Sequence, residues 1–272
     1  MDQTAVGRDN RRESTDREES RVTMDSVTTE SATLGRLKYE GKGKRLFSCD
    51  QDGVLIQQFK DDATAFDGKK HDTVAHKGEL NCAISAFFFT QLTQRGIRNH
   101  MISRTGTDTM SIYEMRMFPV EVVVRNVAAG SICRRLGLQE GAVLKRPLTE
   151  LFYKSDQLGD PMINSEHADL FGWATINESR EMRATAVEIN RVLIDILQPV
   201  GIRLIDFKLE FGRLDGAIVL GDEITPDGCR LWDIESGKKL DKDRFRQDLG
   251  GLTEAYSEVA NRLHIATTQF TP

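Results

Sequence analysis

The stretch Asp206-Phe207-Lys208-Leu209-Glu210-Phe211 alternates charged and apolar residues without a break. In an extended chain successive side chains point to opposite faces, so Phe207, Leu209 and Phe211 line one side and Asp206, Lys208 and Glu210 the other. The six residues read as a strand that packs its apolar face into a core and carries two carboxylates and an ammonium in one row. Asp215-Gly216 follows as a turn signal, and residues 217–220 return as an apolar strand ending in Gly221-Asp222-Glu223. Register decides where Asp222 points. With a three-residue loop, Leu214-Asp215-Gly216, it joins the row; an even loop turns it away in an undistorted ladder. In the first arrangement Glu210 and Asp222 can hold Mg²⁺, which takes one or two carboxylates together with phosphate oxygens and water. An exposed, salt-bridged strand face accounts for the same alternation equally well.

Three other segments carry candidate chemistry. In Tyr39-Glu40-Gly41-Lys42-Gly43-Lys44-Arg45-Leu46-Phe47, two glycines alternate with two lysines and lead into a strand. Glycines let a backbone approach a polyphosphate, and lysines supply the charge. No Ser or Thr follows the lysine and no helix follows the loop, so this is not a Walker A motif; a solvated basic hairpin is the plainer alternative. Glu121-Val122-Val123-Val124-Arg125-Asn126 reads as a buried strand ending in Arg125. Ala128-Ala129-Gly130-Ser131 follows, with Ser131 placed to cap a helix from Ile132. Arginine, hydroxyl and helix N–H groups make an anion site, and an ordinary cap beside a surface arginine is the alternative. Thr225-Pro226-Asp227-Gly228-Cys229-Arg230 is a tight turn that leaves Arg230 able to reach into a cleft. Lys242, Arg244 and Arg246 add a basic patch before the last helix, and a solvated surface is again the alternative.

Outward from these segments the pattern is mixed. Short β-like runs at 45–48 and 54–59 precede a helix expected over 77–95 with Gly96 as its stop. Strands are expected at 110–115 and 120–124, separated by Pro119. A second helix is expected over 177–199, with Thr175 and Glu178 at capping-box spacing and an apolar stripe at Met182, Ala186, Ile189, Leu193, Ile196 and Val200. The last helix repeats the stripe at Leu252, Tyr256, Val259 and Leu263. The fold class is α+β: a small antiparallel β-rich N-terminal lobe over 35–118 and a larger mixed C-terminal lobe over 119–272. Residues 1–34 are polar and charged with no aromatic, and are expected to form a disordered extension.

Composition narrows the function. The chain has 272 residues, is 39% hydrophobic and carries a net charge of −5, which disfavours a general binder of nucleic-acid polymers. No apolar run is long enough to span a membrane. The four cysteines form no C-x-x-C pair and the five histidines no H-E-x-x-H, so zinc chemistry is disfavoured and a reducing cytoplasm is the expected location.

Six stretches, taken in order, resemble the SAICAR synthetase (phosphoribosylaminoimidazole-succinocarboxamide synthase) family. They are 40–44, 123–131, Asp160-Pro161-Met162-Ile163-Asn164, 206–212, 220–232 and 241–251. The resemblance runs from about residue 39 to 263. It implies a two-lobed fold with an ATP cleft between the lobes. It also implies a ligase that uses ATP and Mg²⁺ to join L-aspartate to the carboxylate of carboxyaminoimidazole ribonucleotide (CAIR), and a homodimer. By the same resemblance Lys42 and Lys44 line the ATP phosphates, with Lys154 a further lysine of the site. Glu210 and Asp222 hold metal, with Asp206 and Lys208 beside them as catalytic groups, Lys208 also contacting nucleotide. Arg125, Ser131, Arg230 and Arg246, with Lys242, contact the ribonucleotide. Thr64 and Asp67 belong to a substrate loop in which the family usually has Ser where Thr64 stands, and Cys229 replaces a usual Ser. A kinase with a related ATP site is disfavoured because H-R-D and D-F-G triplets are missing. A non-catalytic scaffold is disfavoured because Glu210, Asp222, Arg125 and Arg230 are all present.

Overall fold

A computed structural model describes Met1 and residues 34–65 and 70–267. The expected extension lies outside the described residues, Met1 and Leu34 apart. The chain enters an antiparallel sheet through β1 (Leu37–Glu40), β2 (Lys44–Ser48) and β3 (Val54–Phe59). A small hairpin, β4 (Asp62–Ala65) and β5 (Lys70–Thr73), precedes helix α1 (Lys77–Gln94). Strands β6 (Met101–Arg104) and β7 (Thr109–Tyr113) complete the first sheet in the order β1-β2-β3-β7-β6.

The second sheet is built from β8 (Arg116–Val127), β9 (Val143–Tyr153), β10 (Met162–Ile163), β11 (Ile202–Leu214), β12 (Ala217–Gly221) and β13 (Cys229–Asp233). Its order is β10-β9-β8-β11-β12, and β13 also pairs with β11. Strand β11 is long enough to serve two neighbours on one edge: its last residues pair with β12 and its first with β13. Helices α2 (Ser131–Leu136), α3 (Ser165–Leu170), α4 (Ile176–Leu197), α5 (Asp243–Arg246) and α6 (Leu252–Arg262) fill the connections. The architecture is α+β.

The periodicities produce these elements for the expected reasons. Phe207, Leu209 and Phe211 are all buried, as are Met182, Ala186, Ile189 and Leu193 of the α4 stripe and Leu252, Tyr256 and Val259 of α6. Glu178 and Thr175 form the reciprocal capping box at the start of α4. The two sheets meet where Asn99 makes a parallel bridge to Leu220. The His100 N–H donates to the Leu220 carbonyl at 2.9 Å, and the Leu220 N–H to the Arg98 carbonyl at 3.3 Å.

Pro119 does not separate two strands as expected; it lies inside β8. The ladder with β11 runs Glu210↔Glu121 and then Gly212↔Met117, so β8 bulges by two residues around Pro119. A bulge asks for no ladder N–H there, which is one of the few places a proline fits within a sheet. The chain breaks instead at Glu114-Met115.

Candidate active site

The polar row of β11 gathers lysines from three directions. Lys208 Nζ donates to Glu121 on β8 at 3.0 Å and lies 4.0 Å from Glu210. Lys154, just past β9, donates to Glu210, and Lys44 of β2 pairs with Asp222. The glycine-lysine hairpin and the late hairpin therefore converge. Lys42 lies at the tip between β1 and β2 and pairs with Asp156 at 2.7 Å, two residues beyond Lys154. Burial pushes the Glu210 carboxyl up, but Lys208, Lys154 and Lys44 outweigh it and hold it below the usual carboxylate range. Burial lowers the Lys44 ammonium, while Glu121 raises that of Lys208.

Asp222 reaches this cluster by a different route from the one expected. The turn has two residues, because Leu214 pairs with Ala217 and Glu210 with Gly221. An even loop points Asp222 away from the row. The chain corrects this at Asp222 itself, which takes φ +60° and leaves the ladder. Asp tolerates the left-handed region better than most residues. The carboxylate then meets Lys44.

The other end of the row is an ion chain. Arg125 donates to Glu150 at 2.7 Å and to Asp206 at 2.6 Å, and Arg230 donates to both Asp206 oxygens at 3.0 Å. Arg230 also donates to Asp243 at 2.9 Å, and Arg246 to Asp243 at 2.6 Å; Arg135 donates to Glu150 at 2.7 Å. Four guanidiniums alternate with three carboxylates, which leaves one positive charge over. Asp206, expected beside the metal acids, pairs with arginines instead. Its cross-strand neighbours, Arg125 on β8 and Arg230 on β13, decide this.

Ser131 does not cap α2. Gly130 is the N-cap, at φ +63°, and the Ser131 hydroxyl accepts from Arg125 Nη2 at 3.2 Å. Glycine is needed here twice over: a Cβ on Gly130 would lie 2.5 Å from Arg230 Nη2 as well as straining the backbone.

A third cluster adjoins both. Lys242 lies 3.9 Å from Asp227, which also takes the Lys77 ammonium at 2.6 Å, the Tyr256 hydroxyl at 2.5 Å and Asn81 Nδ2 at 3.2 Å. Lys77 is completely buried. The Gly228 carbonyl accepts from the Lys208 N–H at 3.1 Å, which ties the Pro226-Asp227-Gly228 turn to the β11 row. Arg244 turns away and donates to the carbonyls of Leu249 and Gly250. Thr64 lies on β4 opposite His71, while Asp67 is outside the described residues. Lys70 of the same hairpin donates to the Phe245 carbonyl of α5 at 2.5 Å. Two surface hollows, of about 280 and 420 Å³, include none of these candidate residues.

The sequence reading did not single out Glu150, Glu121, Lys77, Asp227, Asp243, Tyr256 and His100 as site groups. In the sequence Asp227 belongs to a turn and Lys77 to a helix start, and nothing local announces that they meet.

The family model for SAICAR synthetase matches residues 37–263. The chain belongs to the SAICAR synthetase family. A phosphoribosylaminoimidazole-succinocarboxamide synthase of Parvibaculum lavamentivorans is 53% identical over 234 residues, 85% of this chain and 92% of the relative. Among solved structures, the synthase of Ehrlichia chaffeensis superposes with a TM-score of 0.84 at 41% identity, covering 86% of this chain and all of that one. A type-2 SAICAR synthetase in complex with ADP superposes with a TM-score of 0.82 at 47% identity, covering 85% and 99%. The three residue clusters all lie within the matched span of this SAICAR synthetase-family chain.

Proposed function

We infer that the three clusters together carry out the reaction of the SAICAR synthetase family. In it ATP drives the joining of L-aspartate to the carboxylate of CAIR, 5-amino-1-(5-phospho-D-ribosyl)imidazole-4-carboxylate, in purine biosynthesis. The products are SAICAR, ADP and phosphate. A carboxylate resists amine attack because it is anionic and has no good leaving group. Transfer of the γ-phosphoryl group to a carboxylate oxygen releases ADP and supplies that leaving group. The aspartate nitrogen then forms the C–N bond, the C–O bond to phosphate breaks, and the amine gives up a proton. Phosphoryl transfer asks mainly for positioning and charge neutralisation, which suits a site of lysines, arginines and carboxylates.

In this reading Lys42, Lys44, Lys154 and Lys208 bind the nucleotide phosphates. Arg125, Ser131, Arg230, Arg246 and Lys242, with Thr64 and Asp67, bind the ribonucleotide. Asp206 orients Arg125 and Arg230. Glu210 and Asp222 are the metal-holding pair. Two carboxylates fit Mg²⁺, which draws its remaining oxygens from phosphates and water; among the described residues no set of three protein donors forms a dedicated cage. Mg²⁺ there would neutralise phosphate charge. Lys44 and Lys154 neutralise the same acids in the protein alone and are placed to transfer their N–H groups to phosphate oxygens. The convergence of Lys44 with Asp222 and of Lys154 with Glu210 carries the reading.

The division into a nucleotide lobe over 35–118 and a metal and ribonucleotide lobe over 119–272 belongs to the same proposal; the separation of β1–β3, β6 and β7 from β8–β13 into two sheets supports two lobes, with the change of sheet at Glu114-Met115, a few residues before the expected boundary. The same proposal includes a cytoplasmic location, which the four free cysteines favour, and a homodimer, for which the exposed Leu170, Phe171 and Val143 are candidate contacts. No helix among the described residues is long and apolar enough to cross a membrane.

The test is ADP release measured with CAIR and each amino acid in turn. Release is expected with aspartate only, and is expected to collapse in Glu210→Ala and Arg125→Ala. Release that ignores aspartate, or unchanged turnover in Glu210→Ala, would defeat the reading.

A further inference from the structure

The Asp222 carboxylate faces Lys44 with its backbone out of the ladder at φ +60°, a conformation that Asp visits more readily than most L-residues and that is braced here from the neighbouring sheet. The groups that hold it come from the first sheet and its junction with the second. His100 Nε2 donates to the Asp222 carbonyl at 3.1 Å, and Gln57 Nε2, from β3, approaches the same oxygen at 3.5 Å. His100 also donates its backbone N–H to the Leu220 carbonyl at 2.9 Å, so one residue grips the strand on both sides of Gly221. His100 and Gln57 are both buried, and the Phe89 ring lies edge-on to the imidazole with centroids 5.3 Å apart. The charged groups acting on the ring are Lys44 and Glu210. A backbone carbonyl can only accept, so in this contact Nε2 carries the proton it donates.

We propose that His100, assisted by Gln57, is a positioning residue for Asp222, holding its backbone in the conformation that aims the carboxylate at Lys44, where it would hold the metal. The proposal rests on the reading of Asp222 as a metal-holding residue. It explains why a hydrogen-bonding side chain is buried at the seam of the two sheets, and why an even hairpin loop still delivers its acid to the site. Loss of the imidazole N–H removes the stronger of the two side-chain contacts to that carbonyl. A glutamine at the same position carries an amide N–H at about the same reach from the backbone.

The test compares His100→Leu, His100→Gln and Asp222→Asn by calorimetric ADP binding at graded Mg²⁺. CAIR binding and thermal unfolding are measured alongside. His100→Leu is expected to raise the Mg²⁺ needed for half-maximal ADP binding about tenfold, as changes behind a metal ligand commonly do, with His100→Gln restoring it to within about twofold. CAIR binding stays put, because the arginine chain is untouched. A crystal structure of His100→Leu is expected to show Asp222 away from positive φ. If His100→Leu does not fold, His100→Asn takes its place, since its shorter amide falls short of the Asp222 carbonyl. An unaltered Mg²⁺ requirement in the Leu or Asn variant, equal losses in His100→Leu and His100→Gln, or Asp222 still near φ +60° in the crystal would each overturn the proposal. If Asp222→Asn itself leaves the Mg²⁺ requirement unchanged, the metal reading fails and takes the proposal with it. If Asp222→Asn raises the requirement and His100→Leu does not, only the positioning role is lost.

Discussion

Asp227→Asn is expected to destabilise the protein far more than its small change in shape implies. Lys77 sits completely buried in the first turn of α1, 2.6 Å from an Asp227 oxygen. That end of a helix carries partial positive charge, so a cation there is unfavourable unless an anion answers it. Asn keeps the shape of Asp227 and one acceptor oxygen, which suits the Tyr256 hydroxyl. It removes the charge, and Lys77 is left as an uncompensated buried ion. Breaking a buried pair in this way costs about 3–5 kcal/mol. At roughly 2–4 °C per kcal/mol for a chain of this size, the midpoint of thermal unfolding should fall by about 6–20 °C. Urea denaturation at pH 7 measures the free energy directly, and Lys77→Met combined with Asp227→Asn supplies the control. Removing the orphaned ammonium should recover about 1 kcal/mol or more. Burial pushes the Asp227 carboxyl up, but Lys242 and Lys77 outweigh it and hold the group well below its ordinary 3.8. A folded pKa that is depressed stabilises above the unfolded value and loses its effect as pH falls through the folded one. The gap between the protein and Asp227→Asn should therefore persist at pH 4 and close only in stronger acid. A variant within about 0.5 kcal/mol of the unaltered protein at pH 7, or a double variant no better than the single one, would refute this account of the cluster.

Gly130→Ala should displace the Arg230 guanidinium, since its Cβ would lie 2.5 Å from Nη2. Loss of one charge-assisted contact predicts CAIR binding weakened at least about tenfold by calorimetry, with a further stability loss of about 1–3 kcal/mol from strain at φ +63°, ψ −127°. Glu178→Gln should cost about 1–2 kcal/mol at pH 7, because Glu178 closes the α4 capping box and takes Arg213 at 2.6 Å. The Arg213 hydrogen bond, with help from Thr175, depresses its pKa from 4.5 to about 2. Its advantage should thus shrink as pH falls across that window, read from urea midpoints of the two proteins.

The sequence by itself determined the elements whose signals are local. The alternation at 206–211 specified a half-buried strand because side chains on extended backbone repeat every two residues. The stripes of α4 and α6 specified buried helix faces, and Thr175 with Glu178 announced a helix start, since each depends on residues three or four apart. The ordered motifs also carried the family. Tertiary structure alone decided which charge meets which. Asp206 pairs with arginines because β8 and β13 flank it, and Asp222 reaches Lys44 because a left-handed residue undoes the parity of a two-residue turn. Lys77 finds Asp227 across 150 residues of chain. Gly130 takes the cap from Ser131 because Arg230 occupies the space a side chain would need. Backbone periodicity is a property of neighbours in the chain, whereas an ion's partner is set by which segments fold against it.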